Sequence, residues 1–331
     1  LHHNLSWAKG YEHPELVGYV AEDRNELYKQ AKAAAEAVMG MGYGLYQQKA
    51  DPSENFQRLF LEMKSSEQIF ITQYDKLNMP YWATDWVAWI CGTPSYGGYG
   101  LNQITANLAD AFENADGTPF VFSERTANPY EGRDPRFYAT ILYNGASWYA
   151  NSWGSVSPVT IDITAADNNN GTCIGYYMKK FISPGENDYY YGNRQPQPYI
   201  QIRYAEVLLN YAEACLALGE DDLARGVINQ IRERAGMPDV PETEGGIELL
   251  NRYRNERRVE LALEGHRFWD VRRWMIAEEA YVPALGVRFE NGKYVSFKFE
   301  DRAWNDSHYL IPILRTEMFK NTSLIQNPLY K

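Results

Sequence analysis

The stretch from Tyr199 to Trp274 constrains the fold of this chain most, because its apolar spacing agrees with its helix-ending signals. Leu208, Ala212 and Cys215 recur at intervals of four and three residues, which is the period of a helix with one buried face. Gly219 then supplies a helix C-cap, and the acidic pair that follows shortly after it favours the start of a second helix. The spacing therefore predicts two closely packed antiparallel helices in the pattern of a tetratricopeptide repeat.

Rows of acidic and basic side chains run along the next predicted helix, about residues 247–263. The acidic row consists of Glu256, Glu260 and Glu264, and the basic row consists of Arg254 and Arg258. Within each row the residues are four apart, so they lie on the same side of the helix. A stretch dense in Arg and Trp follows. A chain with a net charge of -11 attracts negatively charged phosphate groups only weakly, so nucleic acid is not an expected partner. The pattern favours a partly buried Arg–carboxylate lattice that clamps helices together.

Several segments of the chain resemble the SusD/RagB family. Three of them, 204–214, 231–238 and 256–274, look like the signature of that family. The others are 134–140, 175–181, 309–313 and 326–330. Members of this family are surface lipoproteins of the outer membrane of Bacteroidetes-type bacteria. They bind glycans, or in some cases peptides, act with a SusC-type TonB-dependent transporter, and use no cofactor.

The resemblance implies a mainly α fold: an α/α superhelix of tetratricopeptide-like helix pairs, with an irregular loop-rich ligand-binding region and short β-hairpins. We expect a helical repeat part at 1–66, the loop-rich region at 67–198, and the helix pair, the Arg/Glu-rich helices and a carboxy-terminal strap at 199–331. The amino-terminal helical repeats and the lipid-accepting cysteine of the family are not found in this sequence. We therefore expect a fragment whose only membrane contact is a lipid anchor that this chain lacks.

Local signals give more specific expectations along the chain. Helices are predicted at 25–39, where Gly40 ends the helix, and at 101–114. A further helix is predicted to begin at Asp51, because its carboxylate can cap a helix whose first turn contains Pro52. Strands are predicted at 68–74 and 136–143. Asn291-Gly292 indicates a hairpin within 286–299, and the tail from Leu310 is expected to be extended and to lie across the helices.

A first cluster of aromatic residues lies between 81 and 100, interleaved with glycines. Trp82, Trp86 and Trp89 have helical spacing, which is compatible with either a core stripe or a binding surface. Tyr96 and Tyr99 lie in a glycine-rich loop, so we expect at least one of them to be exposed. The polar residues available beside these rings are Asp85, Asn102 and Gln103.

A second cluster follows the predicted strand at 136–143, in a Gly/Ser-containing loop. It consists of Trp148, Tyr149, Asn151 and Trp153, and at least one of the two indoles is expected to be exposed. Flat aromatic rings cover the apolar faces of sugars, and amides bind the hydroxyl groups. At ~25 cal/mol per Å² of covered surface, two or three such rings give binding in roughly the high micromolar to millimolar range. Both clusters are therefore candidate glycan-binding residues.

The sequence offers little support for catalysis or metal binding. It contains no phosphate-binding loop, zinc-protease motif or nucleophile elbow. His266 beside Glu264 is interpreted as structural, His2, His3 and His13 are not expected to bind metal, and the three cysteines have no metal spacing. Three functions remain open: a non-catalytic glycan receptor, a peptide-binding family member, and a repeat scaffold whose ligand is a protein. A hydrolase is a more distant fourth.

Overall fold

The computed structural model describes residues 23–74, 86–94, 98–152, 155–164, 172–183, 198–327 and 330. Within these residues the fold is mainly helical, with strands only in short antiparallel pairs. The helices are α1 (Arg24–Met39), α2 (Pro52–Leu59), α3 (Trp86–Cys91), α4 (Ala106–Ala109), α5 (Pro135–Thr140), α6 (Tyr204–Ala217), α7 (Asp221–Arg234), α8 (Gly246–Glu260), α9 (His266–Arg273), α10 (Ala277–Ala280) and α11 (Arg315–Lys320).

The strands form two-stranded antiparallel pairs. They are β1 (Gln68–Thr72) with β6 (Tyr199–Arg203), β2 (Ile141–Leu142) with β5 (Tyr177–Met178), β3 (Ser147–Ser152) with β4 (Ser155–Thr160), and β7 (Ala284–Glu290) with β8 (Lys293–Glu300). The predicted hairpin about Asn291-Gly292 is confirmed. Both turn residues have positive φ, which asparagine and glycine adopt more readily than other residues.

The helix pair predicted from residues 204–231 is confirmed as α6 and α7. Leu208, Ala212 and Cys215 are fully buried along one face of α6, and they join one hydrophobic cluster with Ala224 and Ile228 of α7. Gly219 ends the first helix with a φ of 76°, in the left-handed region that favours glycine. α1 packs against α6 on the same cluster, so the pair does not bury its faces alone.

The two amino-terminal helices both begin at a carboxylate cap, and the cap predicted at Asp51 is confirmed. Asp51 accepts a hydrogen bond from the backbone N–H of Glu54 at 2.7 Å, and Pro52 occupies the first turn of α2. Asp23 caps α1 in the same manner, and the predicted helix at 25–39 is confirmed within one residue. Phe56, Leu59 and Phe60 then face a small core that they share with Ala139 of α5.

A second hydrophobic core lies under the loop-rich region. Phe112, Phe137, Tyr176 and Trp148 belong to it, with rings that meet mainly edge to face. Val287 of β7 closes this core against Gly175, whose φ is 92°. A Cβ atom at Gly175 would lie 2.2 Å from the carbonyl oxygen of Val287, so only glycine permits this approach.

The predicted strand at 136–143 was wrong, because most of it is the helix α5. Asp134 accepts a hydrogen bond from the backbone N–H of Arg136 at 2.8 Å, and Pro135 is preset for the first helical turn. Only Ile141 and Leu142 continue as a strand, paired with Met178 and Tyr177. Capping by Asp134 and Pro135 thus outweighs the β-propensity of the residues after them.

The predicted helix at 101–114 was too long, since only 106–109 are α-helical. The residues before it are extended because Gln103 pairs with Tyr177 in an antiparallel bridge. The side chains expected to face inward do so: Ile104 and Phe112 are buried, and two more partly buried residues pack beside them. The inward pattern was therefore correct even though the helix was not.

The carboxy-terminal tail is not extended throughout, as the sequence suggested. Its residues 315–320 form the helix α11, which buries no side chain. The ion pair between Glu317 and Lys320 at 2.6 Å, three residues apart, supports this helix. Apolar residues of the tail remain at the surface, with Phe319 82% exposed.

The Arg–carboxylate lattice is confirmed for the acidic row, and it joins the loop-rich region to the helices, but Arg254 and Arg258 of the predicted basic row form no ion pair in the described residues. Its members are at most one-tenth exposed and consist of Asp134 and Arg136 of α5, Glu67, Lys180, Arg203, Arg232, Arg234, and Glu256, Glu260 and Glu264 on or just after α8. Glu260 accepts from Arg136 at 3.0 Å, from Arg203 at 2.6 Å and from Arg234. Buried charges of this kind are tolerated because each finds a partner of opposite sign.

None of the helices in the described ranges combines the length and the apolar character that a membrane crossing requires.

Candidate functional site

The structure describes part of the predicted ligand-binding set. Tyr99, Asn102, Trp148 and Tyr149 are fully described, whereas Trp86 and Asn151 lie in a described helix and strand without a described side chain. Trp82, Asp85, Tyr96 and Trp153 lie outside the described residues. Four described side chains and their neighbours therefore define the candidate site.

A turn that returns on the end of α3 positions Tyr99. The backbone N–H of Gly100 donates to the carbonyl of Gly92 at 2.9 Å, and that of Leu101 donates to Ile90 at 2.9 Å. A Cβ atom at Gly98 would lie 2.3 Å from the Gly92 carbonyl oxygen, so this close approach requires glycine. The turn holds Tyr99 at the surface with 57% of the side chain exposed.

Gly100 connects this turn to the core beneath it. Its φ is 58°, and a Cβ atom there would lie 3.0 Å from the ring of buried Tyr177. The next residues reach a second loop: the Gln103 side-chain oxygen accepts from the Thr172 hydroxyl at 2.7 Å and from the Cys173 backbone N–H at 2.9 Å. Tyr99 therefore stands on a backbone that is fixed from two directions.

Tyr99, Leu101 and Asn102 together form an exposed patch, which we call the Tyr99 surface. The Asn102 amide nitrogen donates to the Cys91 sulfur at 3.3 Å, which orients the side chain. No donor from the described residues reaches its amide oxygen, which leaves an acceptor at the surface. An aromatic ring, an aliphatic side chain and an oriented amide are the groups that a sugar face and its hydroxyls require.

In the second predicted cluster, the two described side chains, Trp148 and Tyr149, are buried and half-buried. Trp148 is only 3% exposed, so the expectation that this indole stacks on a sugar was wrong. The residues taken for a loop form β3, and alternate side chains of a strand point to opposite faces. This alternation places Trp148 in the core and leaves Ser147 exposed, while Tyr149 is half-buried against the same core. The expectation of one exposed indole stays open, since Trp153 is not described.

The adjacent residues His266 and Glu264 do not form a catalytic pair. Glu264 accepts from Arg203 at 2.7 Å and from Lys180 at 2.6 Å, so both of its oxygens belong to the lattice. His266 faces Glu206, 3.9 Å away, and burial lowers the pKa of its imidazole. Its interpretation as structural fits this arrangement. Among the described residues, no group of His, Cys, Asp and Glu could hold a metal ion.

The three cysteines are free thiols. Cys91 and Cys215 are buried, which suits small apolar residues of a core, whereas Cys173 is exposed. Cys91 and Cys173 form no disulfide in this structure.

Sequence reasoning missed exposed aromatic residues within the arginine-rich stretch. Phe268 and Trp269 of α9 are both exposed, although we had assigned this stretch to the lattice alone. Helical geometry contained part of the signal: Trp269 is two residues before buried Val271, so it turns toward the opposite face of α9. A cavity lies beside Phe268.

Comparison with known proteins gives a consistent result. The profile of the SusD family matches residues 66–330. A SusD-like protein P2 of Formosa agariphila is 32% identical over 145 residues, which are 41% of this chain and 26% of that protein. The alignment therefore spans about a quarter of that relative's length.

Two crystal structures from Bacteroides fragilis show the same fold. A SusD-like protein superposes with a TM-score of 0.80 at 33% identity, covering 92% of this chain and 62% of that one. A SusD-like carbohydrate binding protein superposes with a TM-score of 0.72 at 26% identity, covering 89% of this chain and 61% of that one. This chain thus corresponds to less than two thirds of either structure.

Proposed function

The chain belongs to the SusD family, and from this we propose that it binds carbohydrate at the cell surface without breaking any bond. The observation that carries the proposal is the Tyr99 surface, where an exposed ring and an oriented amide stand on a fixed backbone. A structural relative at 26% identity is described as a carbohydrate binding protein, which supports the same ligand class.

The remaining predicted residues complete the proposed ligand surface. Trp82, Asp85, Trp86 and Tyr96 are close to Tyr99 in sequence, and they are proposed to extend the same binding surface. Tyr149, Asn151 and Trp153 are proposed to contribute from the β3–β4 hairpin, whereas buried Trp148 supports the hairpin from below.

Each stacked ring contributes little binding free energy, so we expect affinity to depend on several weak contacts along a polymer. Weak multivalent capture suits a receptor that must release its ligand to the next protein. We propose that this next protein is a SusC-type TonB-dependent transporter and that the full protein is an outer-membrane surface lipoprotein. Family membership supports both statements.

A glycan array with the purified chain tests the ligand class. We expect retention of one family of polysaccharides, and no release of reducing ends when the bound glycan is incubated with the protein. Binding of an oligopeptide library in the absence of any glycan binding would favour the peptide-binding alternative. Newly formed reducing ends would contradict the non-catalytic function.

A further inference from the structure

A cavity of about 710 Å³ lies between α4, the carboxyl end of α8 and α9, outside the Tyr99 surface. Its volume is within the roughly 300–1,000 Å³ of typical small-molecule sites. The charged and polar side chains on its wall include Asp110, Arg258, His266, Arg267 and Arg302, and Phe268 and Tyr281 lie beside them. We call this the α9 cavity.

The arginines of the α9 cavity differ from those of the lattice because they form no close ion pair in the described residues, although Asp110 attracts Arg258 and Asp270 attracts Arg267 over a longer distance. Arg257, on the same wall, pairs with Asp270 at 2.8 Å and is thereby neutralised. Arg258, Arg267 and Arg302 form no ion pair within the described part of the chain. The only hydrogen bond of Arg258 there runs from Nη2 to the Asn107 carbonyl oxygen at 2.7 Å. Arg267 makes none, so most of the donors of these guanidiniums are unused.

Burial makes these unpaired charges costly. Burial and, to a smaller extent, repulsion from Arg267 lower the pKa of the Arg258 guanidinium to about 10, although Asp110 opposes the shift. Burial also lowers the pKa of Arg267; attraction to Asp270 opposes this shift, and repulsion from Arg254 adds to it. Two half-buried cations that repel each other are stabilised by an anion that binds between them.

The cavity also offers what a sugar ring needs. Asp110 lies on the cavity wall, and its carboxylate oxygen Oδ1 is buried, with no donor from the described residues. Phe268 has 43% of its side chain exposed, and the Arg272 guanidinium lies 3.5 Å from the centre of its ring. Arg272 also donates to the Tyr281 hydroxyl at 3.3 Å, so both rings are held in place before any ligand arrives.

We propose that the α9 cavity is a second carbohydrate site, specific for an anionic sugar whose acidic group lies between Arg258 and Arg267. The ring of this sugar packs beside Phe268, whose side chain is partly exposed on the cavity wall. The shared chemistry is an anion on a sugar, which both a uronate carboxylate and a sulfate ester provide. The inference does not rest on the Tyr99 surface, because it uses different residues on different elements.

The test measures calorimetric binding of three trisaccharides to the purified chain: trigalacturonate, its methyl ester and a sulfated galactan trisaccharide. We expect the uronate or the sulfated sugar to bind at least tenfold more tightly than the uncharged ester. Arg267→Gln and Arg302→Gln each remove a charge without breaking a hydrogen bond, and each is expected to weaken anionic binding at least fivefold. Arg288→Gln, on a surface arginine of β7 outside the cavity, is the matched control and is expected to change affinity less than twofold.

The tighter of the two anionic probes identifies the acidic group, and either preference supports the site. The proposal is overturned if the ester binds as tightly as the uronate, if neither anionic sugar binds, or if both cavity variants bind like wild type. Uncharged glycans report on the proposed Tyr99 surface separately. If the protein binds uncharged glycans but shows no preference for the anionic sugars, the cavity proposal is overturned. The proposed carbohydrate-binding function is then unaffected.

Discussion

Arg203 and Glu260 are joined by two hydrogen bonds at the base of the loop-rich region. Arg203 Nη1 donates to the Glu260 carboxylate at 2.6 Å, and Nη2 donates to the Glu260 main-chain oxygen at 2.8 Å. Arg203 ends β6 and Glu260 ends α8, so this pair fixes the strand that enters the helical part against the helix that carries the lattice. The loops above are thereby held on a rigid base.

Removing the Glu260 charge is expected to destabilise the fold strongly. Glu260→Gln keeps the shape but leaves Arg136, Arg203 and Arg234 short of one counterion, which costs about 3–5 kcal/mol for a buried network. Urea unfolding followed by circular dichroism measures the loss. The control is Glu317→Gln, which removes an exposed charge paired with Lys320 and should cost less than about 1 kcal/mol. Similar costs for the two variants would contradict a structural role for the lattice.

The lattice also predicts how stability depends on pH. Burial opposes ionisation of Glu260, but Arg234, Arg203 and Arg136 outweigh it and hold its pKa well below the ordinary value of 4.5. At neutral pH the carboxylate is ionised in both states and its stabilising contribution is complete. As the pH falls below about 5 the unfolded chain takes up the proton first, so this contribution is lost. The stability difference between wild type and Glu260→Gln should therefore shrink from pH 7 to pH 3, and a constant difference would refute the assignment.

A single ring tests the proposed glycan surface. Tyr99→Ala removes one stacking platform worth roughly 1–2 kcal/mol, so retention of the cognate polysaccharide in affinity gels should weaken about fivefold to thirtyfold. Tyr199→Ala is a matched control, because Tyr199 is a tyrosine of almost equal exposure, 58%, on β6. Equal mobility of the two variants would argue against Tyr99 as a contact.

The sequence predicted the helical part well because its signals are local. The period of α6, the glycine after it and the caps of α1 and α2 each act within a few residues, and all are confirmed. The loop-rich region depends on distant contacts instead. Trp148 is buried because β3 pairs with β4 over the core, and residues 101–105 are extended because Gln103 meets Tyr177. Neither partner can be identified from spacing alone.

The turn below Tyr99 allows a test of backbone geometry. Gly100→Ala and Gly132→Ala both place a side chain at positive φ, which costs about 1–2 kcal/mol. Only the first also brings a methyl group against the Tyr177 ring, because nothing lies within 4 Å at Gly132. We expect Gly100→Ala to lower the free energy of unfolding in urea more than Gly132→Ala does. We also expect it to weaken glycan retention. Equal effects of the two substitutions would mean that the contact with Tyr177 does not position Tyr99.

Asp110 is expected to destabilise the fold at neutral pH. Burial raises the pKa of its carboxyl to about 6, although Arg133 and Arg258 oppose the rise, whereas in the unfolded chain it ionises near 3.8. Between these values the unfolded state releases the proton first, so stability falls as the pH rises and the full cost is reached above about pH 7. Asp110→Asn removes this cost, and its thermal midpoint should exceed that of wild type at pH 7.5 and match it near pH 4. A variant less stable than wild type at pH 7.5 would show that the ionised carboxylate stabilises the fold.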